Sequence, residues 1–150
     1  MAEAEQSYEV SIAADVEDCI DVLLDFERYP EWSSPILAAR IETRDDAGRG
    51  HHVSFDLDMR IRTIRYTLAY SYDLPLHLAW KLVTGDLHDV EGSYQLQPER
   101  PGRVRASCRQ RIDLGFWVPG PIRRMAERQA LRDSVLEFKA EVERRRAAAS

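Results

Sequence analysis

Cysteine is scarce in this chain of 150 residues, with Cys19 and Cys108 the whole supply. Two thiols make no disulfide framework. Neither has a second cysteine or a histidine at metal-ligand spacing, and each falls in an apolar pattern, so both read as small buried fillers. Lysine is nearly missing too: arginine supplies 19 of the 21 basic residues, which leaves the planar guanidinium fork as the main cationic chemistry. Positive charge is not in excess, however. A formal net charge of -5 with scattered basic residues argues against nucleic acid as a ligand. No apolar run approaches membrane-spanning length, and the start MAEAEQSYEV has carboxylates where a secretion signal needs a basic region. The expectation is a cytoplasmic protein with no stable membrane insertion. Glycine-rich phosphate loops, G-x-S-x-G and H-E-x-x-H are also absent, and His51 and His52 are neighbours expected on opposite faces of a strand. Neither a metal nor a cofactor is expected.

What is present suits one globular domain over residues 1–150, at 44% hydrophobic and 31% charged. Tyr8, Val10 and Ile12 alternate with polar neighbours, which predicts a strand over 6–12. Asp15 then caps a helix whose apolar positions, Val16, Cys19, Ile20, Leu23 and Leu24, recur at helical spacing up to Phe26. Pro30 ends that helix or starts a short second one, and Ser33 to Leu37 could be its second turn; the chain reads as extended from Ala38. Alternation then runs through Val53, Phe55, Leu57 and Met59, through Tyr66, Leu68, Tyr70 and Tyr72, and through Leu78, Trp80 and Leu82. It continues from His88 to Leu96 and from Val104 to Leu114, with turns at Asp45–Gly48, Asp73–Pro75, Thr84–Asp86 and Pro98–Gly102. After the aromatic and proline-rich stretch 116–121, a long helix runs to about Arg146 on a stripe of Leu131, Val135, Phe138 and Val142. The fold class is therefore α+β: a curved antiparallel sheet of about seven strands around a long C-terminal helix, with one or two short helices after the first strand.

One short stretch, Phe26-Glu27-Arg28-Tyr29-Pro30-Glu31-Trp32, packs three aromatic rings around a proline, where they either close a core or line a cavity. This stretch at the end of the first helix, the run Ser54-Phe55-Asp56-Leu57-Asp58-Met59 and the helix segment from Ser134 to Glu143 resemble the START-like, polyketide cyclase/dehydrase and lipid-transport (SRPBCC) superfamily. The likeness is nearest its coenzyme Q-binding and ribosome-association-toxin branch, and it covers essentially the whole chain. The resemblance implies a helix-grip fold with a cavity between sheet and C-terminal helix, Tyr29 and Trp32 forming a lid or wall at one end. The motifs belong to the fold rather than to one function, because the superfamily reuses one cavity for several ligand classes.

Within that frame the inward positions are Phe55, Leu57, Tyr66, Leu68, Tyr70, Trp80, Tyr94, Cys108 and Gln110, with His88 by parity near the rim. The composition fits a ligand pocket, mostly apolar with a few hydrogen-bonding groups, while a filled core is the alternative. The family's aromatase/cyclase branch places an aromatic, a serine and an arginine on alternate inward positions of one strand. Here the corresponding residues are Tyr66, Leu68 and Tyr70, which keep the aromatic and lose the hydroxyl and the cation. Projecting the helix stripe backwards at about 100° per residue brings Arg124, Glu127 and Arg128 onto the same face, with Ile122, Met125 and Gln129 elsewhere. Either the helix bends near residue 130, or Arg124 or Arg128 guards the cavity opening and pairs with the acidic head of an amphipathic ligand. Trp117, in the loop before this helix, and Met125 complete the candidate ligand-binding set. Three functions remain open: binding or carriage of a hydrophobic or amphipathic small molecule, polyketide cyclase/dehydratase chemistry in the same cavity, or a ribosome- or protein-binding module.

Overall fold

The computed structural model describes residues 5–60 and 62–149. Strand β1 (Gln6–Ile12) leads into α1 (Val16–Leu24), a single 3-10 turn at Phe26–Arg28 and the short α2 (Tyr29–Trp32). A meander follows: β2 (Ile36–Arg44), β3 (Gly50–Asp58), β4 (Thr63–Asp73), β5 (His77–Gly85), β6 (Asp89–Arg100) and β7 (Arg103–Asp113). The chain ends in α3 (Gly120–Ala149). Among the described residues the strands form one antiparallel sheet in the order β1-β7-β6-β5-β4-β3-β2. The two short helices thus carry the chain from one sheet edge to the other.

Local chemistry accounts for these boundaries. The Asp15 amide donates to Asp18 Oδ2 at 2.9 Å, while Asp15 Oδ1 accepts from the Gly102 amide at 2.7 Å, tying the start of α1 to the β6–β7 turn. At the β2–β3 turn, Asp45 Oδ1 accepts from the amides of Ala47 and Arg49, and Gly48 takes the positive φ that closes it. Pro30 sits in the first turn of α2, where its missing N–H costs nothing. The segment Ser33–Leu37 is not helical as expected: α2 stops at Trp32, and β2 starts two residues earlier than predicted, at Ile36. The Ser33 amide caps the preceding turn by donating to the Tyr29 carbonyl, which leaves Ser34 and Pro35 to make the corner.

The apolar sides of α1, the sheet and the C-terminal half of α3 meet in one core containing Ile12, Val22, Phe26, Val135, Phe138 and Val142. Cys19 and Cys108 are buried in it, as read from sequence, and burial pushes each thiol up to about 12. Charged residues fasten the end of α3. Arg145 pairs with Asp25 at 3.1 Å, and Arg146 reaches Asp15 and Asp18 at 3.0 and 2.9 Å. Buried Glu141 is gripped by Arg144 and Arg145, whose hydrogen bonds hold its carboxyl down to about 2. His51 and His52 do not point apart. Their rings stack with centroids 4.5 Å apart, opposite the irregular register where β2 pairs with β3.

Candidate functional site

Two of the FERYPEW aromatics, Tyr29 and Trp32, form part of the inner wall of a cavity, and the third, Phe26, packs in the core behind them. Phe26 is fully buried, with its ring 5.5 Å from Tyr29 and 4.6 Å from Tyr70, and Tyr29 lies 4.9 Å from Trp32 and 5.9 Å from Phe55. Trp32 and Tyr94 both meet Phe138 of α3, at 6.2 and 5.1 Å, so the helix and the aromatic stretch close this end together. The Tyr29 hydroxyl donates to the Leu23 carbonyl at 2.7 Å, which fixes that ring at the end of α1. Trp80 lies flat over Gly92 on the neighbouring strand. A Cβ at position 92 would come within 2.5 Å of the indole, so only glycine leaves the ring this low on the sheet.

Two chambers lie between sheet and helix. The inner one, about 120 Å³, is bounded by Tyr29, Trp32, Phe55, Tyr70, Trp80 and Tyr94, and Cys108 also lines it. The outer one, about 450 Å³, lies toward the N-terminal half of α3, against Leu57, Met59, Ile64, Ile112 and Leu114. Ser33, Ile36, Tyr66, Leu68, Gln110 and Ser134 line both, so the chambers adjoin. Eleven of the sixteen residues singled out by sequence line these chambers: Tyr29, Trp32, Phe55, Tyr66, Leu68, Tyr70, Trp80, Tyr94, Cys108 and Gln110 the inner one, and Leu57 the outer.

The remaining candidates fall outside. His88 precedes β6 and is solvent-exposed, its Nδ1 2.8 Å from Asp113 Oδ2; that hydrogen bond raises the imidazole pKa and lowers the carboxyl. The parity argument failed because the strand begins only at Asp89. Trp117 is 84% exposed and Met125 68% exposed, and Arg124 and Arg128 also face solvent. The arginine that lines the outer chamber is Arg123, with Glu127 beside it; Arg123 Nε lies 3.8 Å from Glu127 Oε1, and both side chains are largely covered. Helix α3 is continuous, yet its inward face turns by about 80° between the stripe at Leu131–Val142 and the Arg123, Glu127, Ala130 and Ser134 side. The coiled sheet explains this, because the direction of its concave face rotates along the helix. Sequence projection also passed over Ser134, Ile36 and Ile122, whereas Phe116 and Val118, which flank Trp117 in the loop before the helix, line the outer chamber.

The titratable groups of the inner chamber are phenols and a thiol held neutral by burial. Burial raises the pKa of Tyr66, Tyr70 and Tyr94, so their hydroxyls are neutral donors at ordinary pH. Tyr94 and Cys108 sit at paired positions of β6 and β7 and both line the inner chamber. Among the described residues, the hydroxyls of Tyr66 and Tyr70 and the Gln110 amide have no protein hydrogen-bond partner, and Trp32 Nε1 is buried without one. Groups of this kind are costly to leave unmet. No cluster of three or more potential metal ligands occurs among the described residues. On the opposite side of the sheet, a trough of about 570 Å³ is floored by Ala69, Ser71, Ala79 and Ser93 and edged by Lys81 and Arg109. It lies between outward side chains, apart from the helix.

The family described as polyketide cyclase / dehydrase and lipid transport matches residues 12–139. No curated protein sequence matches the chain at a significant level. Similar solved structures include a START superfamily protein from Mycobacterium smegmatis, 22% identical, TM-score 0.86, covering 93% of this chain and 97% of that one. The Zhui aromatase/cyclase from Streptomyces sp. R1128 is 19% identical, with a TM-score of 0.82 and 98% of each chain covered. A STAR-related lipid transfer protein from Xanthomonas axonopodis is 14% identical, TM-score 0.73, covering 92% of this chain and 85% of that one. At these identities the likeness establishes a shared helix-grip fold.

Proposed function

The chain belongs to the polyketide cyclase/dehydrase and lipid transport family, and from that premise we propose that it binds or carries a hydrophobic or amphipathic small molecule, tail inward, in the two adjoining chambers. One observation carries this reading: an interior space walled mainly by apolar and aromatic side chains, in which hydrogen-bonding groups are sparse and several have no protein partner among the described residues. Such a site gains affinity from apolar burial and selectivity from a few placed polar groups. An oxygen-bearing ring or chain in the inner chamber would accept from Tyr66 and Tyr70 and reach Gln110. At the outer end, Arg123 offers a guanidinium to an acidic head, the role that helical projection gave Arg124 or Arg128 as the alternative to a bent helix.

A second reading, polyketide cyclase or dehydratase, draws on the same two tyrosines. Neutral phenols without partners are poised to donate to a substrate carbonyl and polarise it. The aromatase/cyclase among the similar structures keeps this reading in view.

Native mass spectrometry of the purified protein, followed by solvent extraction and titration with fatty acids and aromatic polyketides, tests both. A stoichiometric bound compound is the expected result. Ser134→Phe, which inserts a ring between the chambers, should weaken its capture at least about tenfold while costing no more than about 1–3 kcal/mol of stability. An apo mass unchanged by every added compound would overturn the binding reading. Turnover of the bound compound, lost in Tyr66→Phe or Tyr70→Phe, would shift the assignment to the enzyme.

A further inference from the structure

The cavity opens between the end of β3 with the β3–β4 turn, the loop after β7 and the first turns of α3, where Leu57, Met59, Phe116, Val118 and Ile122 form its border. Around this border the chain exposes side chains that folded proteins usually cover: Trp117 is 84% exposed, Met125 68%, Ile122 61% and Phe116 41%. Ile122 and Met125 are three residues apart and so share one side of the helix. Charge is as unevenly placed. Residues 58–65 and 114–132 hold seven arginines and two carboxylates, in a chain whose net charge is -5. Arg60, Arg62, Arg124 and Arg128 are exposed and enter no ion pair among the described residues. At the other end of α3 the balance reverses: residues 15–31 hold seven carboxylates and one arginine, next to Arg145 and Arg146. A helix of 30 residues sets these ends about 40 Å apart.

We propose that the arginine-flanked rim of the cavity docks reversibly on an anionic lipid surface. Tryptophan with flanking arginine is the composition that settles at the headgroup boundary, the ring in the interfacial layer and the guanidinium groups on phosphates. The cations come from two separate segments on either side of the opening. Mobile lipid headgroups meet such a spread of charge without the fixed carboxylates that a protein partner would have to supply. The acidic far end is repelled by the same surface, so approach with the rim leading is favoured. Docking in this orientation turns the cavity opening toward the acyl chains. It does not require the cavity to be occupied, and so it stands apart from the ligand-binding reading.

Flotation of the full chain with vesicles tests the proposal, comparing phosphatidylcholine alone with an equal mixture of phosphatidylcholine and phosphatidylglycerol. The expected result is capture by the anionic vesicles only, weakening as salt is raised, with a blue shift of tryptophan emission. Trp117→Ala should remove the blue shift and most of the capture, and Arg124→Glu with Arg128→Glu should abolish it. All three positions are exposed, and an unchanged thermal midpoint confirms that the variants are folded. No capture by either vesicle, equal capture by both, or capture indifferent to these substitutions would overturn the proposal. So would a protein that ignores vesicles but dimerises through Trp117.

Discussion

The two halves of α3 make opposite uses of one continuous helix. From Leu131 onward its apolar stripe is buried against β1 and α1, and its last turns are knotted by Glu141, Arg145 and Arg146. From Gly120 to Ala130 no residue is buried, and the inward side carries Arg123 and Glu127 over an open chamber instead of a packed core. The difference teaches that in this fold core packing and the lining of the cavity are divided along a single element. The C-terminal half secures the helix so that the N-terminal half can bound an opening without being held down by it.

The largest test of that division is Phe138→Ala. Phe138 is fully buried against Trp32 and Tyr94, and its loss should cost about 3–5 kcal/mol in a urea melt and destroy ligand capture with it. Next comes Glu141→Gln, which removes the negative charge and one of the two acceptor oxygens that hold Arg144 and Arg145, and should lower the urea midpoint at neutral pH. The sign on acidification follows from the depressed carboxyl. Its contribution is fully present above the ordinary value of 4.5 and is lost as pH falls toward about 2, so the variant should show a shallower decline across that window. In the N-terminal half, Arg123→Ala should weaken acidic ligands severalfold while sparing neutral ones of equal length, and should leave the melt nearly unchanged. Equal losses for both ligand types would erase the distinction between the halves. The smallest effect is expected at the exposed pair beside the opening: Asp113→Asn should return the His88 titration toward its ordinary value, read by NMR, without altering ligand affinity.

How far the sequence revealed this arrangement follows from how locally each feature is determined. The strand alternation at Tyr66, Leu68 and Tyr70 and the stripe at Leu131, Val135, Phe138 and Val142 are set by short-range periodicity, and these residues face inward as read. The strand residues of the inner chamber were legible for the same reason, since a period of two survives the curvature of a sheet. Arg123 was not legible. Its inward position depends on how the sheet coils beneath a straight helix, a tertiary rotation that no helical projection contains. His88 was misplaced by one residue of strand length, and Ser33–Leu37 was misread because the capping of α2 by Ser33 leaves no sign in composition.

The bare backbone at Gly92 has a bearing on ligand choice that its position gives no hint of. Trp80 rests where a side chain would otherwise be, so the depth of the inner chamber is governed from beneath its wall. Any larger residue at 92 would raise the indole like a false floor, and the protein could be refitted for shorter ligands without changing a single group that touches them.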